Sequence, residues 1–147
     1  MNALLATLVL TQALTATRAQ YEGRFELEAH LNRLDRSARE LSLVQPYSHV
    51  QWTNWIEQGI RDAAFPEAKV YIQITRGVSP RDHAFPTNVA PTVVMTIREL
   101  VPLPQQTRER GVIAKTCEDV RWGRCDIKSV NLLANVLARE DAKQAGV

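Results

Sequence analysis

Several residues in this chain carry groups that can do chemistry, and none of them names a reaction alone. Lys128 lies in the run CDIKSV, between apolar Ile127 and Ser129. A primary amine flanked in this way can be held in a pocket and bond to carbonyl compounds. Spacing alone equally allows a surface lysine ahead of a helix. Arg81 and His83 stand two apart in RGVSPRDHAFP, so in an extended stretch their side chains project to the same side. Such a pair suits a carboxylate, with a bidentate fork from the guanidinium and a further donor from the imidazole. A merely solvated loop arginine is the alternative. Arg33 has fork geometry that suits phosphate oxygens, although a mid-helix arginine more commonly faces solvent. Cys125, beside Asp126, has no histidine near it in sequence and reads as packing rather than nucleophile.

Other chemistries are excluded. No glycine-rich phosphate loop, HExxH or GxSxG motif is present. Two cysteines, Cys117 and Cys125, match no four-ligand zinc pattern and cannot build a disulfide scaffold, so no metal is expected. Reduced thiols in a cytoplasmic protein are the expectation. The 147 residues are 45% hydrophobic, 6% aromatic and 23% charged, an ordinary globular composition that rules out disorder and collagen-like repeats. A net charge of +2 is too small to argue for a nucleic-acid partner. The apolar run ALLATLVL (residues 3–10) has no Lys or Arg before it and is interrupted by Thr11 and Gln12, short of a membrane span. A buried helix or strand is expected there; a secretory leader ending near Ala19 is the weaker alternative, and no membrane partner is expected.

These groups need elements to position them. In residues 25–43, Leu27, Leu31, Leu34, Ala38 and Leu41 form one apolar helical stripe, ended by Pro46. A second helix is expected from about His49 to Ala64, with Trp52, Trp55, Ile56, Ile60 and Ala63 on one side and Gly59 as a weak point. Residues 69–75 and 92–98 read as strands, joined by a long loop with Gly77, Pro80 and Pro86. The result is an α+β layer. Residues 102–110 read as an interdomain linker, 111–119 as a strand, and Ser129 as the cap of a helix running to Ala145, with Leu132, Leu133, Val136 and Leu137 on its apolar side and Gly146 as its stop.

Together, ITRGVSPRDHAFP (74–86), EDVRWGRCDIKSVNLLANVLAREDAKQAG (118–146) and FELEAHLNRLDRSARELSL (25–43) resemble the class IV, fold type IV, pyridoxal-phosphate-dependent aminotransferases, in particular their D-amino acid branch. YEGRF (21–25) fits the hairpin before that family's first helix. The resemblance implies a small N-terminal domain of antiparallel sheet plus two helices (21–101), then the first strand and helix of a larger cofactor-binding domain (111–147). It implies that Lys128 carries pyridoxal 5'-phosphate covalently and shuttles the proton. It further implies that Arg33, preceded by His30, contacts the cofactor phosphate. Arg81 and His83 correspond to the pair that binds the substrate α-carboxylate, in a loop that reaches the neighbouring subunit of a homodimer. The implied substrates are a D-amino acid and a 2-oxo acid.

Residues 1–20 depart from the family, because no FGDGVYE-like strand with its substrate-facing tyrosine is seen in them. The chain also stops where a family member is half complete, so a truncated and inactive form is one expectation. Two other readings are a lyase of the aminodeoxychorismate type, which shares the lysine but not normally the Arg–His pair, and a non-catalytic remnant that associates with a full-length homologue.

Overall fold

The structure, a computed structural model, describes residues 10–16, as backbone, and 26–147. The hairpin expected at 21–25 and most of the apolar run at 3–10 lie outside the described residues. Two compact units are present. The first comprises residues through Leu100 together with Asp126–Val130, and the second comprises Val101–Cys125 with Asn131–Val147.

Among the described residues, the first unit is a three-stranded antiparallel sheet with two helices. β1 (Leu10–Ala16) pairs with β2 (Ala68–Thr75), which pairs on its other edge with β3 (Thr92–Glu99). Within the segment that departs from the family at 1–20, residues 10–16 therefore supply a strand, at the sheet's edge among the described residues. The alternation in β2 is fully expressed, since Val70, Ile72 and Ile74 have no solvent exposure. They sit opposite Ile97, Met95 and Val93 of β3, so both strands present one apolar face.

Helix α1 (Leu27–Glu40) lays its stripe on that face, burying Leu31, Leu34, Ala38 and, just past its end, Leu41. Ser37 is buried among them. The helix closes with Ser42 in a left-handed conformation (φ 48°): the Ser42 amide donates to the Arg39 carbonyl and the Leu43 amide to the Ala38 carbonyl. Those two bonds satisfy carbonyls that a helix end otherwise leaves unpaired.

Helix α2 (His49–Ala63) begins with a capping box, in which Ser48 Oγ accepts from the Gln51 amide and Gln51 Oε1 accepts from the Ser48 amide. The Tyr47 ring packs edge-on against Trp52 at 5.2 Å, stapling the chain's entry into the helix. Gly59, a weak point on propensity grounds, is what lets α2 approach the sheet. A Cβ there would lie 2.2 Å from Ile97 Cδ1.

The second unit differs from expectation in two places, a strand and a helix start. Within the linker expected at 102–110, residues 105–110 form a short helix α3 (Gln105–Arg110), in which the Thr107 and Arg108 amides bond the Pro104 carbonyl. Its Gln, Arg and Glu residues are good helix formers. Residues 111–119 form no strand, because no neighbouring strand offers them a ladder; they are exposed throughout. Helix α4 runs from Leu133 to Gln144, with Leu132 rather than Ser129 at its N-cap. Ser129 is instead buried in the first unit. Gly146 (φ 78°) ends α4 as expected, with bonds from Gly146 and Val147 back to the Lys143 and Ala142 carbonyls.

Candidate active site

The first unit contains all four residues singled out from sequence, and α1 carries one of them, Arg33, and anchors a second, Lys128. Arg33 lies on α1, half-buried, and one of its Nη groups meets His30 Nδ1 at 2.9 Å, one helical turn back. A guanidinium can only donate, so His30 Nδ1 is the acceptor and the ring is neutral in this arrangement. Burial pushes the His30 imidazole down from its ordinary value, Arg33 adds to the effect, and Glu26 opposes it.

Lys128 reaches the same helix through its backbone. Asp126–Val130 inserts Ile127 into the core formed by α1, α2 and the sheet, leaving it 5% exposed. Arg36 of α1 donates to the Asp126 carboxylate at 3.2 Å and to its carbonyl at 2.6 Å. The Lys128 amide donates to Ser37 Oγ at 3.3 Å. Lys128 is thus bracketed by two buried residues, Ile127 and Ser129, and is itself half-buried. No partner for its ammonium occurs among the described residues. Arg33 and Ser37 are i and i+4 on one helix face, so Arg33 lies one turn, roughly 6 Å along the axis, from the point that holds Lys128.

Arg81 and His83 lie in the segment between β2 and β3. Both are exposed, and neither side chain has a partner among the described residues. The backbone is not extended here. Asp82 Oδ1 accepts from the His83 amide at 2.6 Å, and the chain bends at Arg81 and His83, so local turn chemistry rather than strand alternation sets how the pair is presented.

Sequence reasoning missed the residues that fix these groups. Ser37 had a readable signal, a hydroxyl at helical spacing within an apolar stripe, which implies a buried hydrogen bond. Arg36 and Asp126 pair across the chain and carried none. Arg76 is a third case. It donates through Nη1 to the Ser42 carbonyl at 3.0 Å and through Nη2 to the Leu41 carbonyl, under the ring of Phe85.

The second unit has its own cavity of about 390 Å³ between Cys117–Arg121 and α4. It is lined by none of Arg33, Arg81, His83 or Lys128. Beside it, hydrogen bonds from Arg121 hold the Asp119 carboxyl down to about 2. Among the described residues there is no cluster that could hold a metal ion, and no helix is long and apolar enough to cross a membrane.

The donor set fits pyridoxal phosphate. It offers the half-buried Lys128, whose ammonium has no partner among the described residues, and one guanidinium a helical turn from that lysine's backbone anchor. Comparison with known proteins points the same way. The chain is 41% identical over 123 residues to the D-alanine aminotransferase of Staphylococcus epidermidis, a match covering 83% of this chain. It spans 44% of that relative's length. Among solved structures, the branched-chain amino acid aminotransferase from Escherichia coli superposes with a TM-score of 0.80 at 18% identity, covering 98% of this chain and 48% of that one. A 4-amino-4-deoxychorismate lyase from Pseudomonas aeruginosa superposes with a TM-score of 0.68 at 23% identity, covering 90% of this chain and 48% of that one. At these identities the structural likenesses show the fold, that of the fold type IV enzymes, and not the reaction. The family model for class IV aminotransferases matches residues 12–147, and the chain belongs to that family.

Proposed function

We propose that this chain serves pyridoxal-phosphate-dependent transamination of D-amino acids with a 2-oxo acid acceptor, of the D-alanine and 2-oxoglutarate type. The observation that carries the reading is the setting of Lys128. Of the four lysines in the sequence, Lys69, Lys115 and Lys143 are exposed. Lys115 and Lys143 are also paired with Asp141 and Glu140. Only Lys128 is drawn partly out of solvent with its backbone pinned on both sides.

In this reading Lys128 would hold the cofactor covalently and would move the proton that leaves the substrate Cα. Arg33 would hold the phosphate through charge-assisted bonds, with His30 fixing the guanidinium's orientation. Arg81 and His83 take the substrate α-carboxylate. In a homodimer they would do so for the neighbouring subunit's site. The cofactor, when bound, supplies the electron sink for the carbanion. The lyase reading shares the lysine but leaves the Arg81–His83 pair without a task, which favours transamination.

Borohydride reduction of the chain incubated with pyridoxal phosphate, followed by peptide mass spectrometry, tests the lysine. Label is expected on the Lys128 peptide and lost in Lys128→Arg. Label spread over Lys69, Lys115 and Lys143 according to exposure would overturn the assignment. Faster amino transfer from L-alanine than from D-alanine would overturn the stereochemical part.

A further inference from the structure

The loop from Arg76 to Pro91 carries Arg81 and His83 and has no helix or strand of its own. Loops of this length in compact domains are either braced internally or mobile. This one is closed at its neck. Thr75 pairs with Thr92 in the sheet, and Gly77, at φ 105°, passes so close to Ala90 that a Cβ would lie 2.1 Å from the Ala90 carbonyl oxygen. The neck alone does not fix the distal part, where Val78 and residues 80–85 are exposed.

One contact reaches across. The Arg76 guanidinium, at the root of the loop, lies 3.4 Å from the centroid of the Phe85 ring, nine residues further on. On its other side it donates to the carbonyls of Leu41 and Ser42 at the C-terminal end of α1. The Leu41 carbonyl, at the C-cap, belongs to the negative end of the helix dipole, a favourable seat for a cation. Arg76 therefore joins three things: the end of β2, the end of α1, and the segment two residues beyond His83. We propose that Arg76 is the positioning residue of the Arg81–His83 pair, acting through Phe85 to hold the loop in the form that presents the two donors to a carboxylate.

The role needs arginine. A planar guanidinium can bond two carbonyls in its plane while offering its face to an aromatic ring, whereas a lysine ammonium does one or the other. Phe85 is 56% exposed, so its ring is not held by burial in a core. Asp82 supplies the local turn, and Arg76 the connection that relates that turn to α1. Since α1 also carries Arg33 and, through Ser37, Lys128, the same helix references the carboxylate-binding loop to the cofactor groups. The proposal rests on the carboxylate role read for Arg81 and His83 above.

Hydrogen exchange on the whole chain tests it, comparing Arg76→Gln, Arg76→Lys and Phe85→Leu with the parent. Amides of residues 77–91 are expected to exchange about ten-fold faster in Arg76→Gln and several-fold faster in Phe85→Leu, with partial rescue by lysine, while Val70, Ile72 and Ile74 keep their protection. Unchanged loop exchange in Phe85→Leu, or loss of β2 protection in step with the loop, would overturn the proposal. Phe85→Leu decides the matter if Arg76→Gln fails to fold. Titration with 2-oxoglutarate separates the two readings. If Arg81→Gln does not weaken binding, the carboxylate reading fails. If Arg81→Gln weakens binding and Arg76→Gln loosens the loop without weakening binding, the positioning role fails.

Discussion

Ser37 and Lys128 are 91 residues apart in sequence and joined by one hydrogen bond, from the lysine amide to the serine hydroxyl at 3.3 Å. Ser37 is completely buried, so its hydroxyl is held on α1 by the packing of Leu34, Ala38 and Leu41 around it. The consequence is that the position of the lysine backbone follows α1 rather than the segment that precedes it in the chain. Arg36, the adjacent helical residue, repeats the tie through Asp126.

Ser37→Ala removes the acceptor and leaves the Lys128 amide without its partner. Destabilisation of about 1–2 kcal/mol is expected in urea unfolding. Arg36→Gln breaks an ion pair whose side chains are 41% and 44% exposed, and the expected loss is below about 1 kcal/mol. Exchange at residues 126–130 should nevertheless quicken in both variants. Equal stability of Ser37→Ala and the parent would show that the bond contributes nothing.

The elements that hold the core were readable because their apolar periodicity is unambiguous. The stripe from Leu27 to Leu41 and the alternation at Val70, Ile72 and Ile74 mark the buried faces directly. The second unit was not readable in the same way. Val112, Ile113 and Val120 look like strand residues, but a strand forms only against a partner, and these side chains are exposed. Ser129 looks like a cap, yet Ile127 is drawn into the core and takes Ser129 with it, so the cap of α4 falls three residues later, at Leu132. The candidate chemical residues were named from family motifs, and the structure ties two of them, Arg33 and the Lys128 backbone, to one helix. The ties from Ser37, Arg36 and Arg76 were not, because each depends on a partner tens of residues away.

Gly59 makes a test of close approach. Alanine in a helix interior gains about 1 kcal/mol over glycine, but here its Cβ would meet Ile97 Cδ1 at 2.2 Å. The obstacle is the far end of a side chain, so it can be removed. Gly59→Ala alone is expected to be neutral or destabilising, while in an Ile97→Val background the same change should stabilise by about 1 kcal/mol. Equal effects of Gly59→Ala in the two backgrounds would refute the contact.

His30 gives the site a pH dependence of definite sign. Its folded-state value is lowered by burial, and further by Arg33, against the opposing effect of Glu26. The unfolded chain then binds more protons than the folded one between the folded value and 6.5. Stability from this group is therefore full above the unfolded value and falls as the pH drops below it and through the folded value. Protonation also converts Nδ1 from acceptor to donor, so the bond from Arg33 is lost. The parent should lose more stability on acidification than His30→Asn, measured by thermal unfolding from about pH 7 to about pH 5. Parallel curves for the two proteins would show that His30 does not titrate out of its folded arrangement.

Gly77 tests whether the neck of the Arg81–His83 loop is as tightly specified as its geometry implies. At φ 105° the backbone lies where side chains are rarely tolerated, and the added Cβ would meet the Ala90 carbonyl oxygen at 2.1 Å and Val89 Cγ1 at 2.5 Å. The first of these is backbone and cannot swing aside, unlike the Ile97 methyl that faces Gly59. Strain of about 1–3 kcal/mol from the conformation adds to the clash, so Gly77→Ala should cost at least about 2 kcal/mol. The cost has a local outlet, because separating residue 77 from residue 90 opens the loop at its base. Faster exchange is therefore expected throughout 77–91, including His83 and Ala84, together with weaker binding of 2-oxoglutarate. The rest of the sheet should hold, since Val70, Ile72 and Ile74 are paired on both edges and fully buried. Alanine tolerated at this position, with loop exchange and 2-oxoglutarate binding unchanged, would mean that the neck does not set the conformation of the pair.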